Sequence, residues 1–209
     1  MSAESGEWIC HALSIMESGV RGNVYMSTSH QEIELRLAIT NPRGLEERLR
    51  ATGARVIGQG LVRTTAYDFP DRRLRRGRQT LRVREDWTGT TLTAKVPLTR
   101  ESDEDAGLAK ARHEINVPLA PGLGPDIHLL LQSIGLHETL RYEKTRTSWE
   151  WSGARIDIDL LADGGACYVE IEADTPEIAR VRAQLGLDDA PVETRSYFDI
   201  VRQARSSSS

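Results

Sequence analysis

Charged and aliphatic residues alternate without a break through Glu32-Ile33-Glu34-Leu35-Arg36-Leu37. That period of two rules out an amphipathic helix, whose apolar positions recur every three to four residues, and specifies a β-strand with Ile33, Leu35 and Leu37 on one face. Glu32, Glu34 and Arg36 then form a row on the other face, spaced roughly 7 Å apart, two strand rises per step. The pattern returns at Leu81-Arg82-Val83-Arg84, Leu92–Val96 with Lys95, Ala111–Val117 with Arg112, Glu114 and Asn116, Arg141–Trp151 with Lys144 and Arg146, Ala154–Leu161 with Arg155, Asp157 and Asp159, and Tyr168–Ala173 with Glu170 and Glu172.

Turn and cap chemistry divides these strands. Asn41-Pro42 ends the first and opens a helix over Pro42–Gly53, with Leu45 and Leu49 inward and Gly53 at its end. Ala54–Tyr67 reads as extended, Asp68–Asp71 as a turn, and Arg72–Arg78 as a basic run in a solvated loop. Trp87–Thr90 and Asp163-Gly164-Gly165 read as hairpin turns, and Arg100–Leu108 as a mobile polar loop. Further helices are expected at Asp126–Ile134, at Pro176–Leu185 with Thr175 as N-cap, and at Ser196–Arg205. This makes seven or eight strands, mostly in hairpins, and three or four helices. The expected fold is α+β, dominated by one antiparallel sheet. The expected organisation is a disordered N-terminal arm over residues 1–27, one domain over 28–205, and a disordered tail over 206–209.

Composition removes several functions. The 209 residues carry a formal net charge of −4, which gives no reason to expect bulk binding to nucleic acid or an acidic membrane. Cys10 and Cys167 lie far apart with no CxxC or Cys/His cluster, so neither a disulfide framework nor a zinc site is expected. No apolar run approaches transmembrane length, and the Trp8–Met16 patch lacks a positive flank, so a cytoplasmic setting is expected. His113, His128 and His137 have no partner constellation, and Trp149 and Trp151 read as packing residues.

Alternation by itself usually marks a sheet with one wet face. Here the polar face is almost wholly Arg, Lys, Asp and Glu, and the signs segregate by strand. Glu32/Glu34 and the Asp157–Glu172 hairpin are acidic; Arg82/Arg84, Lys95 and Lys144/Arg146 are basic. A sheet curled with this face inward makes a charged channel, its apolar outside covered by helices. Such an interior is costly unless filled, because an uncompensated buried charge carries a penalty of several kcal/mol. An oligophosphate bound with divalent cations fits both signs, with Arg and Lys on phosphate oxygens and carboxylates on Mg²⁺ or Mn²⁺.

Taken in order, these segments resemble the CYTH domain, the triphosphate tunnel metalloenzymes, which include class IV adenylyl cyclases, thiamine triphosphatases and inorganic triphosphatases. The opening ExExK signature is similar to Glu32-Ile33-Glu34-Leu35-Arg36, and the segments Tyr67–Pro70, Leu81–Arg84, Lys95, Arg112–Asn116, Lys144–Arg146, Asp159 with Glu170–Glu172, and Ser196-Tyr197 follow in the family's order. The resemblance implies an eight-stranded antiparallel β-barrel, a tunnel with a charged interior flanked by helices. It implies Mg²⁺ or Mn²⁺ held by Glu32, Glu34, Glu172 and either Asp159 or Glu170, with Asp157 able to take the place of Asp159. It implies a triphosphate gripped by Arg36, Arg82, Arg84, Lys95, Arg112, Lys144 and Arg146, and places Glu32, Glu34, Lys95, Arg112 and Glu114 at the reacting centre. Arg36 stands where lysine is usual, and Asn116 where a third acidic residue is usual.

Three functions follow. The first is metal-dependent hydrolysis of inorganic triphosphate or of a nucleoside or organic triphosphate. The second is a class IV adenylyl cyclase forming cyclic AMP and pyrophosphate, and the third a non-catalytic polyphosphate-binding module. The expected partner is a small-molecule triphosphate; a homodimer is compatible with this, while nucleic acid and membrane are not expected.

Overall fold

A computed structural model describes residues 26–98 and 109–207. The expectations for residues 1–25, for the whole Arg100–Leu108 loop and for Ser208–Ser209 therefore lie outside the described residues. The alternating segments become eight strands: β1 (Thr28–Ile39), β2 (Arg55–Asp68), β3 (Thr80–Asp86), β4 (Gly89–Pro97), β5 (Lys110–Leu119), β6 (His137–Trp151), β7 (Ala154–Leu161) and β8 (Cys167–Glu172). They close into an antiparallel barrel in the order β1-β5-β4-β3-β2-β6-β7-β8. The seam is β1, where Glu34 stands opposite Lys110 on one side and Glu172 on the other.

Five helices occupy the described connections: α1 (Pro42–Ala51), α2 (Arg73–Arg76), α3 (Gly124–Ser133), α4 (Thr175–Gln184) and α5 (Tyr197–Ser207). In α1 the Asn41 side chain accepts from the backbone N–H of Gly44 at 2.9 Å, satisfying one of the unpaired amides at the helix start. The cap of α4 is Asp174 rather than the expected Thr175, its carboxylate accepting from Glu177 N–H at 2.9 Å. The last helix takes in Ser206 and Ser207, which the sequence placed in a disordered tail.

The apolar strand faces point outward and are covered in patches. Leu45 and Leu49 of α1, Ile178 and Val181 of α4 and Leu185 just beyond it pack with Leu35, Leu37, Trp149, Ile156, Val169 and Ile171. Each such side chain stabilises the fold by about 1.5–3 kcal/mol. Trp149 is buried here and Trp151 packs against the cluster, as expected of packing residues. α3 seats Leu131 against Tyr67 and Val83 on the outside. Ile200 and Val201 of α5 instead pack with Tyr142, Leu161 and Tyr168, which by strand alternation share the inward faces of Lys144, Asp159 and Glu170. The outer face of β5 is only partly covered: Ile115 and Val117 are 36% and 39% exposed. Trp87, in the β3–β4 turn, lies over Gly58 so closely that a Cβ there would come within 2.3 Å of its ring.

Beyond α4 the chain returns alongside β1. Pro191 accepts from Ala38 N–H at 2.8 Å, and Arg36 accepts from Glu193 N–H at 2.9 Å. This return brings Arg195 and the start of α5 across one mouth of the barrel. No helix among the described residues is long and apolar enough to cross a membrane.

Candidate active site

Because the apolar faces of the strands point out, their charged faces point in. The lumen is one continuous cavity of about 720 Å³. Glu32, Glu34 and Arg36 of β1, Arg82 and Arg84 of β3, Lys95 of β4, Arg112 and Glu114 of β5, Lys144 and Arg146 of β6, Asp157 of β7, and Glu170 and Glu172 of β8 all line it. Every expected site residue is on this wall except Asp159.

Around Lys95 three carboxylates converge. Its ammonium lies 2.7 and 2.6 Å from the two Glu32 oxygens, 2.6 Å from Glu114 Oε2 and 4.0 Å from Glu34 Oε2. Burial pushes Glu32 up to about 7 despite Lys95, and neighbouring Glu34 and Glu114 add to the rise. Burial would raise Glu114 too, but Lys95 and Arg82 reverse it and hold its carboxyl far below the usual range. Glu34 is raised by burial and Glu170, yet Lys95, Arg36 and Arg112 together bring it below its ordinary value. Asn116, at the position where the family pattern has an acid, donates to Glu114 Oε1 at 2.8 Å and accepts from Thr93 Oγ1 at 2.7 Å. It orients Glu114 in place of adding a ligand.

A second cluster centres on Arg146. Its guanidinium spans Asp159 (2.6 and 2.5 Å), Asp157 (2.5 Å) and Glu170. Glu170 also accepts from Arg36 Nε at 2.8 Å and Nη2 at 2.5 Å. Asp159 is 0% exposed and accepts further from Lys144 Nζ at 2.7 Å and Tyr197 Oη at 2.6 Å. Its oxygens are covered by Lys144, Arg146 and Tyr197, so of the two β7 aspartates only Asp157 borders the open cavity. Burial and Arg146 push Lys144 down to about 8 against the pull of Asp159. Tyr197 completes the cluster, with Arg36 4.0 Å and Lys144 4.1 Å from its ring centroid.

Arg82 and Arg112 make no hydrogen bond or ion pair among the described residues, and Arg82 Nε is buried without an acceptor. Arg84 lies 3.1 Å from Asp86 Oδ2, and burial and Arg82 push it down to about 10.

Several lining residues went unassigned in the sequence. Lys110 is two residues before Arg112 on β5, so the alternation could have found it; burial and Arg36 push it down to about 8. Arg155 shares the Asp157 face by the same rule. Tyr197, Arg195 and Arg202 come from α5 and its approach, where no alternation exists to point inward. Arg72, Arg75 and Arg78 from the basic run also line the cavity at the α5 mouth.

As a donor set the carboxylates suit a hard divalent cation. Among the described residues no three acidic or histidine side chains stand together in metal-holding geometry. The point where Glu32, Glu34 and Glu114 converge is filled by the Lys95 ammonium, itself a cation. The residue types therefore fit a metal, and Lys95 marks where positive charge belongs. Glu172, opposite Glu34 on one side and Arg155 on the other, has His30 Nε2 at 3.8 Å, and burial raises its carboxyl against the pull of Arg155 and Lys95.

The CYTH domain family matches residues 30–197. The chain is a member of the CYTH domain family. Solved structures with the same fold include the PH1819 protein from Pyrococcus horikoshii OT3, 23% identical over 82% of this chain and 98% of that one, TM-score 0.66. A protein from Vibrio parahaemolyticus described as an adenylate cyclase candidate is 21% identical over 82% and 97%, TM-score 0.62. An adenylyl cyclase candidate from Hippeastrum, described as revealing a dominant triphosphatase activity, is 16% identical over 82% and 95%, TM-score 0.62. None of the curated proteins matches the chain. Family membership places the CYTH chain among triphosphate-processing enzymes.

Proposed function

We propose that this CYTH protein hydrolyses a linear triphosphate inside its tunnel with the help of Mg²⁺ or Mn²⁺. The observation that carries the reading is the pair of lumen guanidiniums without an ion pair among the described residues, Arg82 and Arg112, facing a wall of converging carboxylates. Charge-assisted hydrogen bonds to an anion are what such groups lack.

Arg82 and Arg112 take phosphate oxygens first, with Arg84 beside Arg82. Arg36, Lys144 and Arg146 form a second bank, already rigid because Asp159, Glu170 and Tyr197 hold them. Glu32, Glu34, Glu172 and the lumen-facing Asp157 are the carboxylates that would hold the divalent ion. When bound, the ion supplies Lewis-acid stabilisation of charge on the transferred phosphoryl group. Lys95 turns from the carboxylates to the phosphate chain. Glu114, kept ionised and oriented by Asn116, positions the attacking water in line with the leaving pyrophosphate.

Cyclase chemistry would use the same grip but also needs a site for adenine. The aromatic ring at the α5 mouth, Phe198, already has guanidiniums near it from Arg75 (4.9 Å) and Arg202 (5.1 Å). Hydrolysis needs no base-reading surface, and the activity named for the Hippeastrum protein points the same way. The test is incubation with Mg²⁺ or Mn²⁺ and tripolyphosphate, ATP or thiamine triphosphate, with separation of orthophosphate, pyrophosphate and cyclic AMP. Orthophosphate from tripolyphosphate, lost in Glu34→Gln with the fold intact, is the expected outcome. Cyclic AMP with pyrophosphate would replace it by the cyclase reading, and tight binding without turnover by the binding-module reading.

A further inference from the structure

The α5 mouth of the tunnel carries cations that a three-phosphate ligand leaves unused. Arg72, Arg75 and Arg78, from α2 and its flanks, and Arg202 from α5 all line the same continuous cavity. The opposite mouth, where β8 ends and β1 begins, carries Glu172, Asp86, His30 and Arg155; the acids at the α5 mouth are Asp68, Glu138 and Asp199, outnumbered there by the arginines.

This collar is built rather than draped. Asp68, at the end of β2 and buried, accepts from the backbone N–H groups of Phe69 (2.7 Å), Leu74 (3.0 Å) and Arg75 (3.0 Å). One carboxylate thus pins α2 over the rim. Arg75 Nη2 lies 2.6 Å from Asp199 Oδ1, tying α2 to α5 across the mouth. Arg72 and Arg78 hold φ of 56° and 55°, a left-handed conformation uncommon for a residue with a side chain and concentrated at functional sites. Neither Arg72 nor Arg202 has a carboxylate partner among the described residues.

We propose that the collar is a second phosphate subsite continuous with the tunnel, and that it selects linear inorganic polyphosphate longer than three units. The inference rests on the triphosphate reading of the tunnel. A chain seated on Arg82 and Arg112 and extending toward α5 delivers its further phosphates among Arg72, Arg75, Arg78 and Arg202. Recurrent charge at fixed spacing is what a rim of guanidiniums recognises. A nucleic acid would also offer phosphates, but single strands gain their hold from bases stacked on open aromatic faces, and Phe198 is flanked by guanidiniums.

The experiment compares wild type with the Arg72→Ala/Arg202→Ala double variant. Calorimetric binding is measured for tripolyphosphate and for sodium polyphosphate of medium chain length, and phosphate release for both with Mg²⁺. The variant is expected to lose several-fold and up to ~30-fold in affinity for the long chain, the worth of two exposed charge pairs, and less than ~2-fold for tripolyphosphate. Unchanged tripolyphosphate binding also shows that the tunnel is folded. Equal losses on both ligands, or none on either, overturn the collar. A single-stranded oligonucleotide of equal charge binding wild type as tightly as polyphosphate overturns the ligand class. If the affinity difference appears but neither ligand releases phosphate, the hydrolytic reading fails and the subsite stands.

Discussion

Asp159→Asn separates an anchor from a metal ligand. In the structure Asp159 is fully buried and accepts from Lys144, twice from Arg146, and from Tyr197. Replacing one oxygen by NH₂ removes the charge and turns a donor toward donors. Breaking a buried ion pair by removing one partner costs about 3–5 kcal/mol. For a domain of this size each kcal/mol moves Tm by about 2–4 °C, so the expected fall is ~6–20 °C. The pH dependence refines it. Arg146 keeps Asp157 and Glu170, whereas Lys144 loses its carboxylate. Lys144 is already pushed down to about 8, and without Asp159 it falls further. A lysine depressed in the folded state binds fewer protons there than in the unfolded chain, so its cost grows as pH drops below its ordinary value. The Tm loss should therefore be larger at pH 6.5 than at pH 9. The assay is thermal unfolding in chelator at both pH values, repeated with Mg²⁺ and tripolyphosphate. A Tm within ~2 °C of wild type at both pH values, with Mg²⁺ stabilisation abolished, would refute the anchor and make Asp159 a metal ligand.

Three further outcomes follow from the same wall. Glu32→Gln should abolish metal-dependent turnover while raising Tm at pH 8 in chelator; the folded carboxyl sits near 7 against an ordinary 4.5, so wild-type stability falls as pH climbs through that window by up to ~3 kcal/mol, and the variant should lose that slope. A variant less stable than wild type at pH 8 would contradict this. Arg82→Ala should lower kcat/KM for tripolyphosphate by ~10–150-fold, the loss of one charge-assisted hydrogen bond of about 1.5–3 kcal/mol, with a Tm change smaller than that of Asp159→Asn. Steady-state kinetics decide it, and an unchanged KM with normal turnover would remove Arg82 from the phosphate grip. Gly58→Ala should cost about 1–3 kcal/mol, since its Cβ meets the Trp87 ring at 2.3 Å; denaturant unfolding of this variant and of Gly58→Ala/Trp87→Ala should show the second change relieving the first.

The strands were legible because the two-residue period holds through Glu32–Leu37 and recurs in each later strand. The same pattern also describes an open sheet with a wet face, so closure was not legible from it. Closure depends on β1 pairing with both β5 and β8, contacts far apart in the chain. Asp157 and Asp159 share a strand face and parity, and nothing local distinguishes them. Tyr197, brought in from α5, covers Asp159 and leaves Asp157 bordering the cavity. The arginines of the Arg72–Arg78 run read as a solvated loop because little aromatic interleaving accompanies them. Their placement rests on the Asp68 carboxylate, a side-chain anchor of the turn rather than a property of the run.

The β1 seam has a bearing on how the chain reaches its fold. Glu34 needs Lys110 on one side and Glu172 on the other, so the ring is not complete until β8 has been made. Until then β1 holds an unpaired edge, with Ile33, Leu35 and Leu37 on one side and Glu32, Glu34 and Arg36 on the other. Such edges are where neighbouring nascent chains associate. The charges that serve the finished tunnel also discourage that association, since a strand bearing Glu32, Glu34 and Arg36 pairs poorly with a copy of itself until β8 is made.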